Sequence, residues 1–91
     1  MKKAVLAIVR GRVQGVGFRY FVLNRAKLLG ISGWTRNLTD GTVETMGVGE
    51  PAALERFMQE LRAGPVGSQV RSVDFQWVDG SFEFLDFEIR G

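Results

Sequence analysis

The sequence predicts an α+β fold in which two helices cover one face of a mostly antiparallel sheet of four or five strands. Three observations favour this class. Extended apolar runs alternate with two stretches of helical periodicity in the order β-α-β-β-α-β. The dipeptide Asp40-Gly41, between the second and third runs, is typical of a tight two-residue hairpin. The length of 91 residues corresponds to one domain, so we expect residues 1–91 to share a single core.

The first half of the chain predicts a strand, a glycine-rich loop and a helix. Lys3–Arg10 is apolar on both pleat faces, which is typical of a central strand. Three of the seven residues in Gly11–Gly17 are glycines, which predicts a loop with unusual backbone freedom. A helix follows and stops at Gly30, a favourable residue after a helix C-terminus. Its apolar residues at near-helical spacing are Phe18, Phe21, Val22, Ala26 and Leu29.

The second half predicts four extended segments and one helix. Ser32–Thr39 and Thr42–Val48 are the hairpin strands, Val70–Val78 is a fourth strand, and Phe84–Arg90 is a short extended end. Pro51 suits the first position of the second helix. The apolar stripe of that helix is Leu54, Phe57, Met58 and Leu61. Because a split β-α-β arrangement places both helices on one face of the sheet, the order predicts the ferredoxin-like plan.

The composition excludes several kinds of chemistry. The chain has no cysteine, which excludes disulfides, thiolate catalysis and cysteine metal sites. It has no histidine, the side chain that most often serves as a general base or metal ligand near neutral pH. The apolar run after Met1 breaks at Arg10, too early for a signal peptide, and no apolar stretch has membrane-spanning length. We therefore expect a cytoplasmic protein.

Charge is distributed unevenly along the chain. Residues 1–45 contain eight basic and two acidic residues, whereas residues 46–91 contain four basic and eight acidic ones. A basic half favours an anionic partner. A solvated surface with a chance skew explains the charges equally well, so charge alone decides nothing.

The loop before the first helix has the elements of an anion site. Backbone N–H groups in a glycine-rich loop can converge on an anion, and a helix N-terminus adds unpaired N–H groups. Arg19, in the first turn of the helix, can bind two oxygens of one phosphate. No dinucleotide or P-loop motif is complete. From these residues alone a tight turn explains the glycines slightly better, and a lone arginine is more often part of a surface ion pair.

A second unusual feature is Asn37, because asparagine is disfavoured inside strands. Its amide can orient a water molecule with one donor and one acceptor. The simpler explanation is that Asn37 stabilises the nearby turn through side-chain hydrogen bonds. Arg36 is either a second anion contact or, more simply, a solvated surface arginine.

These two features together resemble a known family. Val9–Arg19 resembles the first signature of the acylphosphatases. Gly33–Asn37, followed by Gly41-Thr42-Val43 and Gly49, resembles the second signature. The spacing, the order of elements and the ending Phe87–Arg90 agree as well, so the resemblance covers essentially the whole chain. It favours the functional interpretation of both the loop and Asn37.

The resemblance implies a specific activity. It implies hydrolysis of small acyl phosphates without metal or cofactor, with Arg19 and the loop amides on the phosphate and Asn37 positioning the attacking water. The phosphate-binding loop residues are Val13, Gln14, Gly15, Val16, Gly17 and Phe18. Inorganic phosphate is then a product or inhibitor, and we expect a monomer with no membrane partner and no specific nucleic acid. Thr35, where the family usually has alanine, valine or cysteine, and Gly91, where many members have an aromatic residue, depart from the pattern.

Three alternatives remain open at this stage. A non-catalytic anion-binding domain would keep the loop but would not need Asn37. An RNA-binding module shares the topology, but such modules stack bases on aromatic residues of the first and third strands, and neither strand has one here. The chain is also similar to the acylphosphatase-like region of larger carbamoyl-transfer maturation proteins, although we expect a stand-alone enzyme.

Overall fold

The computed structural model describes residues 1–91, which form five strands and two helices in the predicted order. The elements are β1 (Lys3–Arg12), α1 (Phe18–Leu28), β2 (Ser32–Asn37), β3 (Val43–Gly49), α2 (Pro51–Ala63), β4 (Gln69–Val78) and β5 (Phe87–Arg90). The sheet order is β4-β1-β3-β2-β5, and every pair is antiparallel except β2 with β5. The predicted class, two helices on a mostly antiparallel sheet, is confirmed.

The main core lies between the sheet and the two helices. It contains 14 buried residues, among them Phe18, Val22 and Ala26 of α1 at intervals of one helical turn. The predicted α2 stripe is confirmed, since Leu54, Phe57, Met58 and Leu61 are all buried. Burial of each large apolar side chain stabilises the fold by about 1.5–3 kcal/mol. This core fixes α1, and therefore the loop before it, against the sheet.

A smaller apolar cluster covers part of the opposite face of the sheet. Its buried members are Ala4, Met46 and Val48. Trp34 of β2 and two phenylalanines of the β4–β5 connection, Phe82 and Phe84, pack against them. The predicted last strand therefore begins too early, because Phe84 packs on this cluster whereas β5 starts at Phe87, where pairing with Gly33 begins.

The first strand extends further than predicted. Gly11 and Arg12 belong to β1 and pair with β4, after a register shift between Arg10 and Gly11. Gly11 has a φ of 131°, and a Cβ atom there would lie 2.0 Å from the Gln69 carbonyl oxygen. Gly11 thus allows close approach of two strands, and the loop proper comprises residues 13–17.

The predicted two-residue turn at Asp40-Gly41 is wrong. The Leu38 N–H donates to the Thr42 carbonyl (2.9 Å), so three residues lie between the closing pair. Gly41 has a φ of 91°, as expected for a hairpin loop that ends in a left-handed residue. The reason is local: the Asp40 carboxylate accepts hydrogen bonds from the Thr42 N–H (3.0 Å) and hydroxyl (2.6 Å), which favours the longer loop.

We expect Gly33→Ala to destabilise the fold strongly. Gly33 has a φ of 136°, and a Cβ atom there would lie 2.0 Å from the Met46 carbonyl oxygen of the neighbouring strand. Backbone strain and a forced separation of β2 from β3 should together lower the free energy of unfolding by about 3 kcal/mol or more. Urea denaturation measures this loss.

Gly41→Ala is the matched control for that prediction. Gly41 also has a positive φ, but nothing lies within 4 Å of a Cβ atom built there. Gly41→Ala should introduce only the backbone strain of a side chain at this φ, which lowers the free energy of unfolding by about 1–2 kcal/mol. Equal losses in the two variants would contradict the close contact between β2 and β3.

Candidate active site

A cleft of about 110 Å³ lies where the loop after β1 meets the end of β2. It is large enough for several water-sized groups, and hence for a phosphate-sized anion. Its lining residues are Val13, Gly15, Gly17, Phe18, Arg19, Tyr20 and Asn37. The two residues predicted to be catalytic, Arg19 and Asn37, therefore share one cleft although they lie on different elements.

The sheet topology explains this proximity. β1 and β2 each pair antiparallel with β3, so they run parallel to each other on either side of it. The C-terminal ends of parallel strands lie at the same edge of a sheet. The loop that follows β1 and the last residue of β2 consequently face each other across the end of β3.

The loop presents backbone donors that the fold does not use. Gly15 and Gly17 have φ values of 73° and 76°, which side chains rarely adopt. No backbone N–H of residues 13–17 donates a hydrogen bond to another backbone group, and none donates to a side chain. The first hydrogen bond of α1 runs from the Phe21 N–H to the Gly17 carbonyl (3.0 Å), and the helix has no side-chain cap. Free N–H groups at a helix N-terminus favour an anion.

Arg19 supplies a full positive charge without a carboxylate partner. The chain contains seven ion pairs, and none of them includes Arg19. The first turn of α1 also contains no acidic residue. The alternative of a surface ion pair is therefore wrong for Arg19, whose half-buried side chain lines the cleft without an ionic partner.

Asn37 is the last residue of β2 and contributes an unused amide. Its Oδ1 atom is buried and has no hydrogen-bond partner. The only other such atom, the Arg25 Nε, lies 3.6 Å from the Glu60 carboxylate and so has an ionic partner. A buried acceptor left unpaired costs about 1–3 kcal/mol, which a water molecule or ligand in the cleft can offset.

The hairpin does not depend on Asn37. Asp40 stabilises the turn instead, through its two hydrogen bonds from Thr42. The hydrogen bond from the Thr42 hydroxyl lowers the pKa of the Asp40 carboxyl below its ordinary value, and the Thr42 N–H and the charge of Arg10 act in the same direction. The turn-stabilising explanation of Asn37 is therefore wrong.

Arg36 lies on the other face of the sheet. Its guanidinium nitrogens Nε and Nη2 both lie 2.7 Å from the Glu44 carboxylate, and it stacks 5.2 Å from the centre of the Trp34 ring. Arg36 is absent from the cleft lining. Of its two interpretations, the surface arginine is the one that agrees with the structure.

The predicted loop residues divide into two groups. Val13, Gly15, Gly17 and Phe18 line the cleft. The side chains of the other two point elsewhere: Val16 packs against the core, and Gln14 donates hydrogen bonds to the hairpin. Sequence reasoning missed Tyr20, which lines the cleft with 66% of its surface exposed. Its position next to Arg19 in the first helical turn was the available signal.

The chain shows two further features relevant to ligands and membranes. No three side chains of the His, Cys, Asp and Glu types come close enough to one another to hold a metal ion. Neither helix combines the length and apolar character needed to cross a bilayer.

Comparisons with known proteins give a consistent result. A family model described as acylphosphatase matches residues 5–89. The acylphosphatase of Salinibacter ruber is 42% identical over 98% of this chain and 94% of its own, and that of Thermus thermophilus is 47% identical over 80% and 83%. The crystal structure of acylphosphatase from Bacillus subtilis superimposes with a TM-score of 0.95 at 35% identity, covering all of both chains.

The fold and the cleft thus define a ferredoxin-like α+β protein with a glycine-rich loop of unpaired backbone N–H groups at one edge of its sheet. Within that class, the chain belongs to the acylphosphatase family, and it is an enzyme.

We expect the contribution of Asp40 to stability to depend on pH. Because its pKa is lower in the folded than in the unfolded chain, its carboxylate stabilises the fold above the unfolded pKa of 3.8. That contribution disappears as the pH falls through the folded value. Asp40→Asn should therefore lower the urea midpoint at pH 7 and have a smaller effect near pH 3.

Asp79→Asn serves as the control for that measurement, because it removes an exposed carboxylate that forms no ion pair. It should leave the urea midpoint unchanged at pH 7. If Asp40→Asn destabilised the chain equally at both pH values, the charge of Asp40 would have no role in the hairpin.

Proposed function

We propose that residues 1–91 act as one domain that hydrolyses the carboxyl–phosphate anhydride bond of small acyl phosphates. The products are a carboxylate and inorganic phosphate. The observation that carries this proposal is the presence, in one cleft, of an unpaired arginine, unused backbone N–H groups and an unpaired asparagine amide. Family membership supports the same reaction.

In this proposal the phosphoryl group lies against residues 13–18 and Arg19. The loop amides and the guanidinium neutralise the phosphoryl oxygens, whose charge must be stabilised in the transition state. Both donor sets are positioned by the main core, since Val13 and Phe18 at either end of the loop are each 1% exposed. Little rearrangement is therefore needed when the substrate binds.

Asn37 holds the attacking water in line with the leaving carboxylate. Its Oδ1 accepts a hydrogen bond from the water, while the side-chain NH₂ is a donor. The water oxygen forms a bond to phosphorus as the bond between phosphorus and the acyl oxygen breaks. The bonding electron pair leaves with the carboxylate, and a proton of the water passes to a phosphate oxygen of the substrate. No covalent enzyme intermediate forms.

This chemistry suits a chain without histidine or cysteine. A carboxylate is a good leaving group, so the reaction needs no strong general acid. A loose phosphoryl-transfer transition state needs mainly positioning and charge stabilisation. We propose that neither metal nor cofactor takes part, because the arginine and amides supply the positive charge.

The remaining expectations form part of the same proposal. The enzyme works as a cytoplasmic monomer on a small-molecule acyl phosphate, interacts with inorganic phosphate as product or inhibitor, and has no membrane or specific nucleic-acid partner. The helix-free face of β1 and β3, where an RNA-recognition module would carry aromatic residues, instead has Leu6, Ile8 and Met46.

The direct test is turnover of acetyl phosphate and benzoyl phosphate by the purified chain. We expect hydrolysis of both at rates that excess EDTA does not change. Phosphate binding without turnover would instead identify a non-catalytic anion-binding domain. Loss of activity in EDTA, restored by a divalent cation, would overturn the metal-free mechanism.

Two variants test whether Arg19 binds the phosphate and Asn37 positions the water. Arg19→Ala removes charge-assisted hydrogen bonds to the phosphate, so the Kd for inorganic phosphate should rise about 10- to 100-fold. Asn37→Ala should lower kcat by about 100-fold while phosphate still binds. Isothermal titration of phosphate and steady-state kinetics give the two quantities.

The same changes at positions outside the cleft are the controls. Arg36→Ala removes an arginine from the opposite face of the sheet, and Asn24→Ala removes an exposed asparagine of α1. Both should retain wild-type phosphate affinity and kcat. An unchanged kcat in Asn37→Ala would refute the role of Asn37 in positioning water.

A further inference from the structure

We propose that Gln14 is a positioning residue that sets the distance between the phosphate loop and Asn37. This inference rests on the proposed function of the cleft. The Gln14 side chain does not line the cleft, although its neighbours in the loop do. Its role is therefore not contact with the substrate but attachment of the loop to the hairpin.

The attachment consists of two hydrogen bonds from one side-chain nitrogen. The half-buried Gln14 Nε2 donates to the Leu38 carbonyl (2.8 Å) and to the Thr42 carbonyl (2.9 Å). Leu38 and Thr42 are the pair that closes the hairpin loop. Since Leu38 directly follows Asn37, the first bond holds the backbone adjacent to the proposed water-positioning residue.

No other hydrogen bond connects these two segments. The ladder between β1 and β3 ends at Val9 and Val43, before the loop begins. No backbone hydrogen bond joins residues 13–17 to residues 38–42, and Gln14 forms the only side-chain hydrogen bonds between them. Val43 of β3 pairs with both Val9 and Asn37 and fixes the ends of the two strands. Beyond those ends, the separation of the phosphate loop from the hairpin next to Asn37 depends on Gln14 and on apolar packing.

A glutamine amide is suited to this task. Its NH₂ group has two donors, and the two partners are both carbonyl acceptors. A carboxylate of the same shape would face those carbonyls with no donor. Because a displacement of about 1 Å in a reacting group can cost about 100-fold in rate, loss of this attachment should affect turnover more than phosphate binding.

The test is a double-variant comparison with kcat and phosphate Kd as readouts. Gln14→Glu and the uncharged Gln14→Met should each lower kcat about 10- to 100-fold, as expected for a displacement of up to about 1 Å, with less than about a threefold change in phosphate Kd. In the Asn37→Ala background the same variants should have no further effect on kcat, because the residue that Gln14 positions is absent. Gln59→Glu and Gln59→Met, on the exposed face of α2, are the matched controls.

Two kinetic or binding outcomes would overturn the proposal. Independent, multiplicative losses in the double variants would show that Gln14 does not act through Asn37. A parallel loss of phosphate affinity would assign Gln14 to the loop itself. Unfolding temperatures of all variants are measured alongside, and Gln14→Met provides the test if Gln14→Glu does not fold.

A second readout separates this proposal from the proposed function. In NMR spectra of wild-type chain, added inorganic phosphate should shift the backbone amide signals of Leu38 and Gly41 through the Gln14 contact. In Gln14→Met those shifts should be lost while the shifts of Gly15 and Gly17 remain. This result is expected whether or not the chain turns over acyl phosphates. Hairpin shifts that persist in Gln14→Met would refute the attachment.

Discussion

The candidate site depends on one constraint of the sheet, the position of β3 between β1 and β2. Because β3 pairs antiparallel with both strands, β1 and β2 run parallel, and their C-terminal ends meet at one edge. Arg19 and the free amides of the loop after β1 lie at this edge, opposite Asn37 at the end of β2. The loop after β1 and the hairpin after β2 form no backbone hydrogen bonds with each other. Their separation is therefore set by β3, which lies between the two strands, and by contacts across the cleft.

The cleft brings together polar groups that have no partner in the chain. Two charged side chains close to Asn37 in sequence are engaged instead: Arg36 with Glu44, and Asp40 with Thr42. Inside the cleft, Arg19 and the Asn37 Oδ1 have no partner in the chain. Unpaired buried groups destabilise a fold, so they persist most readily where a ligand or water completes them. The same absence of internal partners that costs stability leaves the groups available for chemistry.

Local patterns predict the elements well and their junctions less well. The α2 stripe and the interior position of β1 follow from side-chain periodicity alone, and both are confirmed. The role of Gly11 depends on pairing with β4, which lies almost sixty residues away, and no local pattern reveals it. The proximity of Arg19 and Asn37 was predictable from the family resemblance, whereas the residues themselves left simpler explanations open. The direction of the Gln14 side chain depends on three-dimensional neighbours and was not predictable.

The loop after β1 illustrates why neighbouring residues of one motif can have different tasks. Val13 is buried and holds the start of the loop in the core, while Gly15 and Gly17 adopt left-handed conformations that leave their N–H groups free. Gln14 lies between Val13 and Gly15 in the chain, and its side chain donates hydrogen bonds to the hairpin. A loop that only bound an anion would need the glycines and the helix N-terminus. The additional bonds of Gln14 are explained if the anion must also lie at a defined distance from Asn37 on β2. In-line attack by water requires such a distance, whereas binding alone does not.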